Sequence, residues 1–431
     1  MSSKAKSGSR TQEVQDTKSV EHAVQRLILP LVAGAQATKA GMLAFVHQLG
    51  LAALDEILGA EASELVGAKG KHASGRTANH WGTKRTRLAF GGRHITVKRP
   101  RVRRVDGGEL ELPSIEAFRA TDALPQRVAE QIVLGVSTRG YRRSLEAGPE
   151  GATNDGTSKS SASRALIAKT TEKLAAFSER SLAELDLAAM FLDGLSFGEK
   201  TVIVALGVTT KGCKVPLGLW MGSTEDSVVA TELVQDLIAR GLRIESRMLF
   251  VIDGGKGIRK ALGDVFGDRA VVQRCQVHKA RNLKSHVTKA RWNYVNRSLN
   301  EAYRSATFAT AKKKLQQLTS WLERNGEDSA AGSLKEGLDE SLTVLRLGLS
   351  GALCRTFATT NPIENLNGTI RRVHRNVKRW RGDGMIKRWV ALGIAEASQR
   401  FRSIRGHKSM PQLVAVLRTD PKHVEPVSQV A

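Results

Sequence analysis

Two aspartates sit in nearly the same local sequence: "MFLDG" carries Asp193 behind an apolar run, and "FVIDG" carries Asp253 behind another. A carboxylate at the end of a buried strand is costly to desolvate alone. Two of them on neighbouring strands, each followed by a glycine that lets the chain turn, can hold a hard divalent cation. Mg²⁺ prefers a few carboxylates, water and substrate phosphate. A third acid for such a shell is Glu364 in "NPIENLNG", at the start of a helix just after Pro362. Behind it Arg371, Arg372, Arg375, Lys378, Arg379 and Arg381 follow with no acid before Asp383, which reads as a basic helix suited to phosphate. Taken singly, an Asp-Gly pair is more often a turn or cap, and a first-turn glutamate serves the helix dipole. The repetition, and the basic helix beside Glu364, favour a metal site.

The glycines after Asp253 raise a second chemistry, a loop that cradles phosphate. A Walker-type loop needs G-x-x-x-x-G-K-[ST], but here Lys256 precedes Gly257 and Ile258 follows it. A dinucleotide loop needs a third glycine where Lys260 stands. Both nucleotide readings fail. Further on, "QRCQVHKARN" sets Cys275 and His278 at C-x-x-H spacing. Structural zinc takes four ligands, and no second ligand pair accompanies this one, Cys354 being isolated. The two residues fall just past a strand, near the acids, where His278 would touch DNA or a phosphate. A packed cysteine and a surface histidine are the alternative.

The elements that must position these groups are legible from periodicity. "LAAMFLDGL", "TVIVALGVTT" and "CKVPLGLWMG" read as buried strands, with "TTKG" a turn between the last two. "STEDSVVATELVQDLIARG" reads as a helix with Ser223 or Thr224 as N-cap and Gly241 as its stop. "RMLFVIDG" is a fourth strand, "GKGIRKALGDVFG" a helix and "AVVQRCQV" a fifth strand. The order β-β-β-α-β-α-β implies an α/β fold, a mixed sheet covered by helices. Residues 279–359 look wholly helical, "TAKKKLQQLTSWLERNG" being the clearest amphipathic stretch, and another short helix lies near residue 410 before a loose end.

Upstream, residues 18–60 read as two or three helices, with Val24, Leu27, Ile28 and Val32 at helical spacing and Gly34, Gly41 and Gly50 as punctuation. No acid occurs from Leu65 to Val105. In that stretch Leu88 and Phe90, then Ile95 and Val97, alternate around Gly91-Gly92, the signature of a β-hairpin with a two-residue turn. Arg85, Arg87, Arg93, Lys98, Arg99, Arg101 and Arg103 stud it, as DNA phosphates would require. From 121 to 185 "LPQRVAEQIVLG", "VSTRGYRRSLEAG" and a longer helix carrying Arg164 suggest a helix-turn-helix. An ordinary three-helix unit is the alternative.

Composition agrees with a polyanionic partner. Lys and Arg number 67 against 42 Asp and Glu, a net charge of +25, and the sequence pI is about 10.3. Three scattered cysteines fit a reducing cytoplasm rather than a disulfide framework. "LILPLVAGA" is too short to span a bilayer, and no signal-peptide core opens the chain. No membrane association is expected.

Taken in order, "LDG" at 192–194, "VIDGGKGI" at 251–258, "CQVHK" and "NPIENLNGTIRR" at 361–372 resemble the bacterial members of the Mutator-like (MULE-related) DDE transposases. "GVSTRGYRR" at 135–143 and the basic hairpin resemble that family's N-terminal region. The resemblance implies an RNase H-like catalytic domain interrupted by an all-helical insertion. It makes Asp193, Asp253 and Glu364 the DDE set holding two Mg²⁺ (or Mn²⁺) ions, and Cys275 with His278 the C/D-x-x-H motif. The expected organisation is N-terminal helices and basic hairpin over 1–120 and a helix-turn-helix-like segment over 121–186, both DNA-binding. The core follows over 187–278, the insertion over 279–359, the second part of the core over 360–408 and a tail over 409–431. The implied activity is cleavage at terminal inverted repeats and strand transfer into target DNA by a dimer or higher oligomer associated with the nucleoid. An RNase H-like nuclease or resolvase without strand transfer, and a transposase-derived DNA-binding regulator, are the rivals.

Overall fold

The computed structural model of the chain describes residues 39–67, 76–120, 122–146, 155–223 and 226–419. The helical pattern read before residue 39 and the loose end after 419 lie outside the described residues. The architecture is mixed α/β, in two compact units divided after Lys169.

In the first unit, helix α1 (Lys39–Val66) runs unbroken through Gly41 and Gly50, where the sequence suggested breaks. Glycine costs about 1 kcal/mol in a helix interior, but a Cβ at Gly50 would stand 3.2 Å from the Phe90 ring, so its absence admits that ring. Leu54, Leu58, Ala62 and Val66 recur every fourth residue and bury against Leu88 and Val102 of the hairpin. Strands β1 (Ala78–Phe90) and β2 (Arg93–Arg104) pair antiparallel around Gly91 and Gly92, whose φ of 55° and 78° meet the need of the tight turn. The two-residue strand β3 (Glu109–Leu110) adds to β2. Helices α2 (Pro113–Ala120) and α3 (Leu124–Val133) follow.

The expected helix-turn-helix is not formed as read. "GVSTRGYRRS" supplies one 3-10 turn, Tyr141–Ser144, where a helix was expected. Ser137 Oγ accepts from the Gly140 N–H at 3.0 Å, closing the chain early. The buried Tyr141 donates to the Gly92 carbonyl at 2.7 Å, which pins the segment to the hairpin turn. Helix α4 (Lys159–Glu179) comes next and crosses the division between the units.

The second unit is built on a five-stranded sheet. Strands β4 (Leu187–Phe197), β5 (Lys200–Thr209) and β6 (Lys214–Gly222) form an antiparallel meander. Helices α5 (Ser227–Ala239) and α6 (Lys256–Phe266) carry the chain to β7 (Met248–Ile252) and β8 (Ala270–Arg274), parallel to β4. The spatial order is β6-β5-β4-β7-β8, the mixed sheet the element order implied. Asp226, not Ser223, caps α5, its carboxylate accepting from the Val228 and Val229 amides at 3.0 Å each; Thr224, the other expected cap, lies outside the described residues.

Alternation assigns the two faces. Ala189, Phe191, Val204, Leu206, Leu249 and Val251 pack toward one side, with the helices that follow residue 350. Met190, Leu192, Ile203, Ala205, Phe250 and Ile252 pack toward α5 and α6. Each Val, Leu, Ile, Phe or Met side chain among them contributes roughly 1.5–3 kcal/mol on leaving water, so register is strongly fixed.

After β8 come α7 (Gln276–His286), α8 (Lys289–Tyr303), α9 (Phe308–Arg324), α10 (Asp328–Lys335), the one-turn α11 (Leu338–Ser341) and α12 (Thr343–Arg346), and α13 (Gly351–Phe357). Leu299, Leu315, Leu318, Leu322 and Leu334 give α7 to α10 a core of their own, whereas Val344 of α12 and Leu353 and Phe357 of α13 join the sheet's core. Polar contacts tie this excursion back to the sheet. Glu340 binds both Arg259 and Arg274 at 2.6 Å, and Gln273 spans Ser341 and Val344 at 2.9 Å each.

Helices α14 (Asn361–Val373), α15 (Asp383–Ser398) and α16 (Met410–Arg418) complete the unit. The basic helix behind Glu364 is shorter than its charge pattern suggested. It ends at Val373, and Arg375, Lys378, Arg379 and Arg381 lie on irregular backbone. His374 and Trp380 both pack on Phe197, ring centroids 5.1 Å away, which draws the chain off the helical path.

Candidate metal centre

Sheet parity decides where the two aspartates point. Asp193 shares the odd-numbered face of β4 with Phe191, and Asp253, one residue beyond β7, continues the face of Val251. Both therefore lie on the side covered by α14. Leu192 pairs with Ile252, so the two acids occupy neighbouring positions. They are not equivalent strand ends, as the repeated "DG" suggested. Asp193 lies inside β4, paired opposite Val204, and Gly194 continues the ladder opposite Ile203. Only Gly254 turns the chain, with φ of 114°. The Gly255 N–H then donates to Asp253 Oδ1 at 2.9 Å, fixing that carboxylate beside the start of α6.

Glu364 arrives on the first turn of α14, behind Pro362 in that same turn. Three residues later, on the same helix face, the fully buried Asn367 donates to Asp193 Oδ2 at 2.7 Å. One hydrogen bond thus ties the glutamate-bearing helix to the first aspartate. The buried Thr360 hydroxyl donates to Glu364 Oε1 at 2.8 Å. It also lies 3.3 Å from Cys275 Sγ and 3.3 Å from His278 Nδ1. His278 Nε2 stands 3.7 Å from Glu364 Oε1.

The acids act on one another. Burial, then the charge of Asp253, and finally that of Glu364 push the Asp193 carboxyl up to about 6, against the Asn367 hydrogen bond and His278. His278 is raised first by its hydrogen bond with Cys275 and also by the charges of Asp253 and Glu364, against burial. Burial alone would raise the Cys275 thiol, but hydrogen bonding with His278 and Thr360 outweighs it and holds the thiol below its ordinary value. Among the described residues, Asn367 Oδ1 is buried without a hydrogen-bond partner. Asp193, raised by the neighbouring charges of Asp253 and Glu364, offers with them carboxylate oxygens only, the donor chemistry that fits a hard divalent cation.

Thr360 and Asn367 went unmentioned in the sequence reading. Asn367 was accessible to it, because three residues from Glu364 in a helix means the same face. The Thr360–Glu364 contact, four residues apart, was equally accessible, but its contacts with Cys275 and His278 were not, since those lie 85 and 82 positions away in the chain.

The residues expected to meet DNA divide in two. Arg85, Arg87, Lys98 and Arg103 are exposed on the hairpin, Arg164 on α4, and Arg371, Arg372, Arg375, Lys378 and Arg379 in and after the last turn of α14. Arg101 is partly exposed and bonded to Glu109 at 3.2 Å. Arg93 and Arg99 are buried and engaged within the protein, which corrects their expected role. Arg93 donates to the Glu146 carbonyl, and Arg99 reaches Thr86, Glu109 and Glu111 at 2.8–3.1 Å.

Fold and site together define a mixed α/β protein in which two adjacent strands and one helix bring three carboxylates to one end of the sheet. The sequence matches the family described as "Transposase, Mutator family" over residues 25–403, and the chain belongs to that family. It is 26% identical over 381 residues to the transposase for insertion sequence element IS905 of Lactococcus lactis, a match covering 85% of this chain and 92% of that one. To the transposase for insertion sequence element IS1081 of Mycobacterium tuberculosis it is 29% identical over 269 residues, 59% of this chain and 60% of that one. To the transposase for element ISRM3 of Rhizobium meliloti it is 28% identical over 203 residues, 47% and 50% of the two chains. No helix among the described residues is long and apolar enough to cross a membrane.

Proposed function

We propose that the chain is the DNA transposase of an insertion sequence, with Asp193, Asp253 and Glu364 as its DDE set in an RNase H-like core. The observation that carries this is the Asn367 hydrogen bond to Asp193 at 2.7 Å, which docks the helix bearing Glu364 on the strand bearing Asp193, next to the strand that leads to Asp253. Family membership supplies the reaction class. Two Mg²⁺ or Mn²⁺ ions held by these acids would supply Lewis-acid stabilisation at phosphorus and an activated water.

The chain's own residues divide the remaining work. Asn367 holds Asp193 in orientation, the turn at Gly254 and Gly255 holds Asp253, and Thr360 holds Glu364. Arg371, Arg372, Arg375, Lys378 and Arg379 neutralise DNA phosphates nearby. The exposed cations of the hairpin and Arg164 serve the terminal inverted repeats, and the all-helical stretch between Asp253 and Glu364 is the family's insertion domain. Water cleaves first and frees a 3′-OH at the element's end; that hydroxyl then attacks target DNA. Both steps are in-line displacements without a covalent protein intermediate. Because two ends must be joined, the working form is at least a dimer, acting at the nucleoid.

Incubating the protein with intact and with pre-cleaved ends, a target plasmid and Mg²⁺ tests the reading. Joined end-plasmid products support it. Cleavage without joining supports the RNase H-like nuclease instead, and end binding without either reaction supports the regulator. Inverted repeats in the DNA flanking the gene would identify the ends to use.

A further inference from the structure

The C-x-x-H pair lacked a second pair of ligands in sequence, and the fold supplies a third donor from another element. Cys275 stands between β8 and α7, His278 lies on the first turn of α7, and Glu364 lies on the first turn of α14. The two helix starts are locked side by side. The Cys275 N–H donates to the Ile252 carbonyl at 2.8 Å, and the Gln276 N–H to the Ala358 carbonyl at 2.9 Å. Thr360 N–H meets Cys275 Sγ at 3.4 Å. Within that frame one sulfur, one imidazole nitrogen and one carboxylate oxygen all lie within 4.8 Å of one another.

We propose that Cys275, His278 and Glu364 form a second metal site, selective for a soft divalent cation of the Zn²⁺ class and exclusive of full occupancy of the hard-cation site. Donor chemistry separates the two. Asp193, Asp253 and Glu364 offer only oxygen, which suits Mg²⁺ or Mn²⁺, whereas sulfur and imidazole select zinc. Three protein donors with a fourth position left for water is a standard arrangement for zinc that is not purely structural. Around a tetrahedral Zn²⁺ with bonds of about 2.0–2.3 Å, donors stand roughly 3.3–3.8 Å apart. His278 Nε2 and Glu364 Oε1 already stand at 3.7 Å. The Thr360 hydroxyl, 3.3 Å from Sγ, 3.3 Å from Nδ1 and 2.8 Å from Oε1, fills the space on the Nδ1 side of His278. An ion bound through Nδ1 therefore enters by displacing that hydroxyl, and one bound through Nε2 lies on the other side of the ring. Cys275 is fully buried, so its sulfur faces these groups rather than solvent. Coordination replaces the thiol proton, which leaves to solvent.

The functional consequence rests on the proposed role of Glu364. That carboxylate belongs to both donor sets, so a zinc ion on the Cys–His side withdraws it from the DDE set. Zinc is then a reversible inhibitor acting through a shared ligand.

Full-length protein stripped with chelator and titrated with Co²⁺, a spectroscopic stand-in for Zn²⁺, tests the site without DNA. The expected result is one Co²⁺ per chain with a sulfur-to-cobalt charge-transfer band, bleached by Zn²⁺. Cys275→Ser should abolish the band, and His278→Asn and Glu364→Gln should each weaken Zn²⁺ binding by at least about tenfold. A Cys213→Ser/Cys354→Ser double variant should keep the band. Melts in chelator identify any variant that fails to fold, and the partly exposed His278 and Glu364 carry the test if Cys275→Ser does. Zn²⁺ uptake unchanged in all three ligand variants, or a band that disappears with Cys213 and Cys354, overturns the site. Mg²⁺-dependent cleavage that continues unchanged with Zn²⁺ bound overturns the shared ligand. Zinc binding as expected in a protein that never cleaves DNA leaves the site standing and removes the transposase reading.

Discussion

Arg99 in the hairpin unit and Asp193 in the sheet unit are both charged side chains within folded units, and the chain treats them in opposite ways. Arg99 meets opposite charge and hydrogen-bond acceptors, the Thr86 hydroxyl and the carboxylates of Glu109 and Glu111, although its Nη1 is buried without a hydrogen-bond partner. Asp193 has one donor, Asn367, and its charged neighbours include Asp253 and Glu364, which repel it. A charge balanced from within holds a fold together. One left opposed by its own kind asks for a counter-charge from outside the chain. Surface arginines on the hairpin follow the second pattern in milder form: exposed Arg85 stands directly opposite exposed Lys98 across the ladder, an arrangement that costs stability until an anion arrives.

Substitutions can break that comparison, beginning with the largest effect. Asp253→Asn should lower Mg²⁺-dependent cleavage by about 10²–10³-fold or more while binding of element ends stays within about twofold; normal cleavage by this variant would remove the DDE assignment. Arg99→Ala should destabilise the protein by about 2–4 kcal/mol in urea unfolding, because Glu109 and Glu111 lose their shared partner. If stability held and only DNA affinity dropped, Arg99 would belong with the surface cations after all.

Asp193→Asn should act in the opposite sense, stabilising the metal-free protein at neutral pH by on the order of 1–2 kcal/mol. The folded carboxyl, at about 6, lies above its ordinary value of 3.8. Its favourable contribution is therefore complete below about pH 4 and is lost as pH rises through 6. The melting advantage of the variant should vanish near pH 4. Adding Mn²⁺ should raise the wild-type melting temperature at pH 7, chelator should reverse it, and the variant should respond weakly to both. Last, Arg85→Ala with Lys98→Ala should weaken DNA binding evenly across sequences and reduce the salt slope by about 2. A few tenths of a kcal/mol gained in stability should accompany it.

The sheet was legible because its strands are apolar runs too short for helices and bounded by turns, and the three acids because each follows or opens such an element. Asp193 was legible as a residue but not as a position: nothing in "MFLDG" says that β4 continues to Phe197 while β7 stops at Ile252. The hairpin's charges show the opposite failure. Alternation from Leu88 and Ile95 already places Arg99 on the inner face and Lys98 on the outer, yet charge density drew attention before register did. Helix α1 runs on through Gly50 where the Phe90 ring of the hairpin occupies the space a Cβ would take, a contact that local propensity does not reveal. Cys275 and His278 had a local signature in their C-x-x-H spacing, but Thr360 meets them only through the fold.

The long helical excursion between Asp253 and Glu364 leaves and returns at hydrogen-bonded neighbours, with the Gln276 N–H on the Ala358 carbonyl. Seen this way, it is a loop closed at its base, and lengthening such a loop adds only slowly to the entropy of closure. The helices with their own core, residues 289–335, can change in length without shifting the spacing between Glu364 and the two aspartates, whereas residues 340–357, which bind or pack on the sheet, cannot.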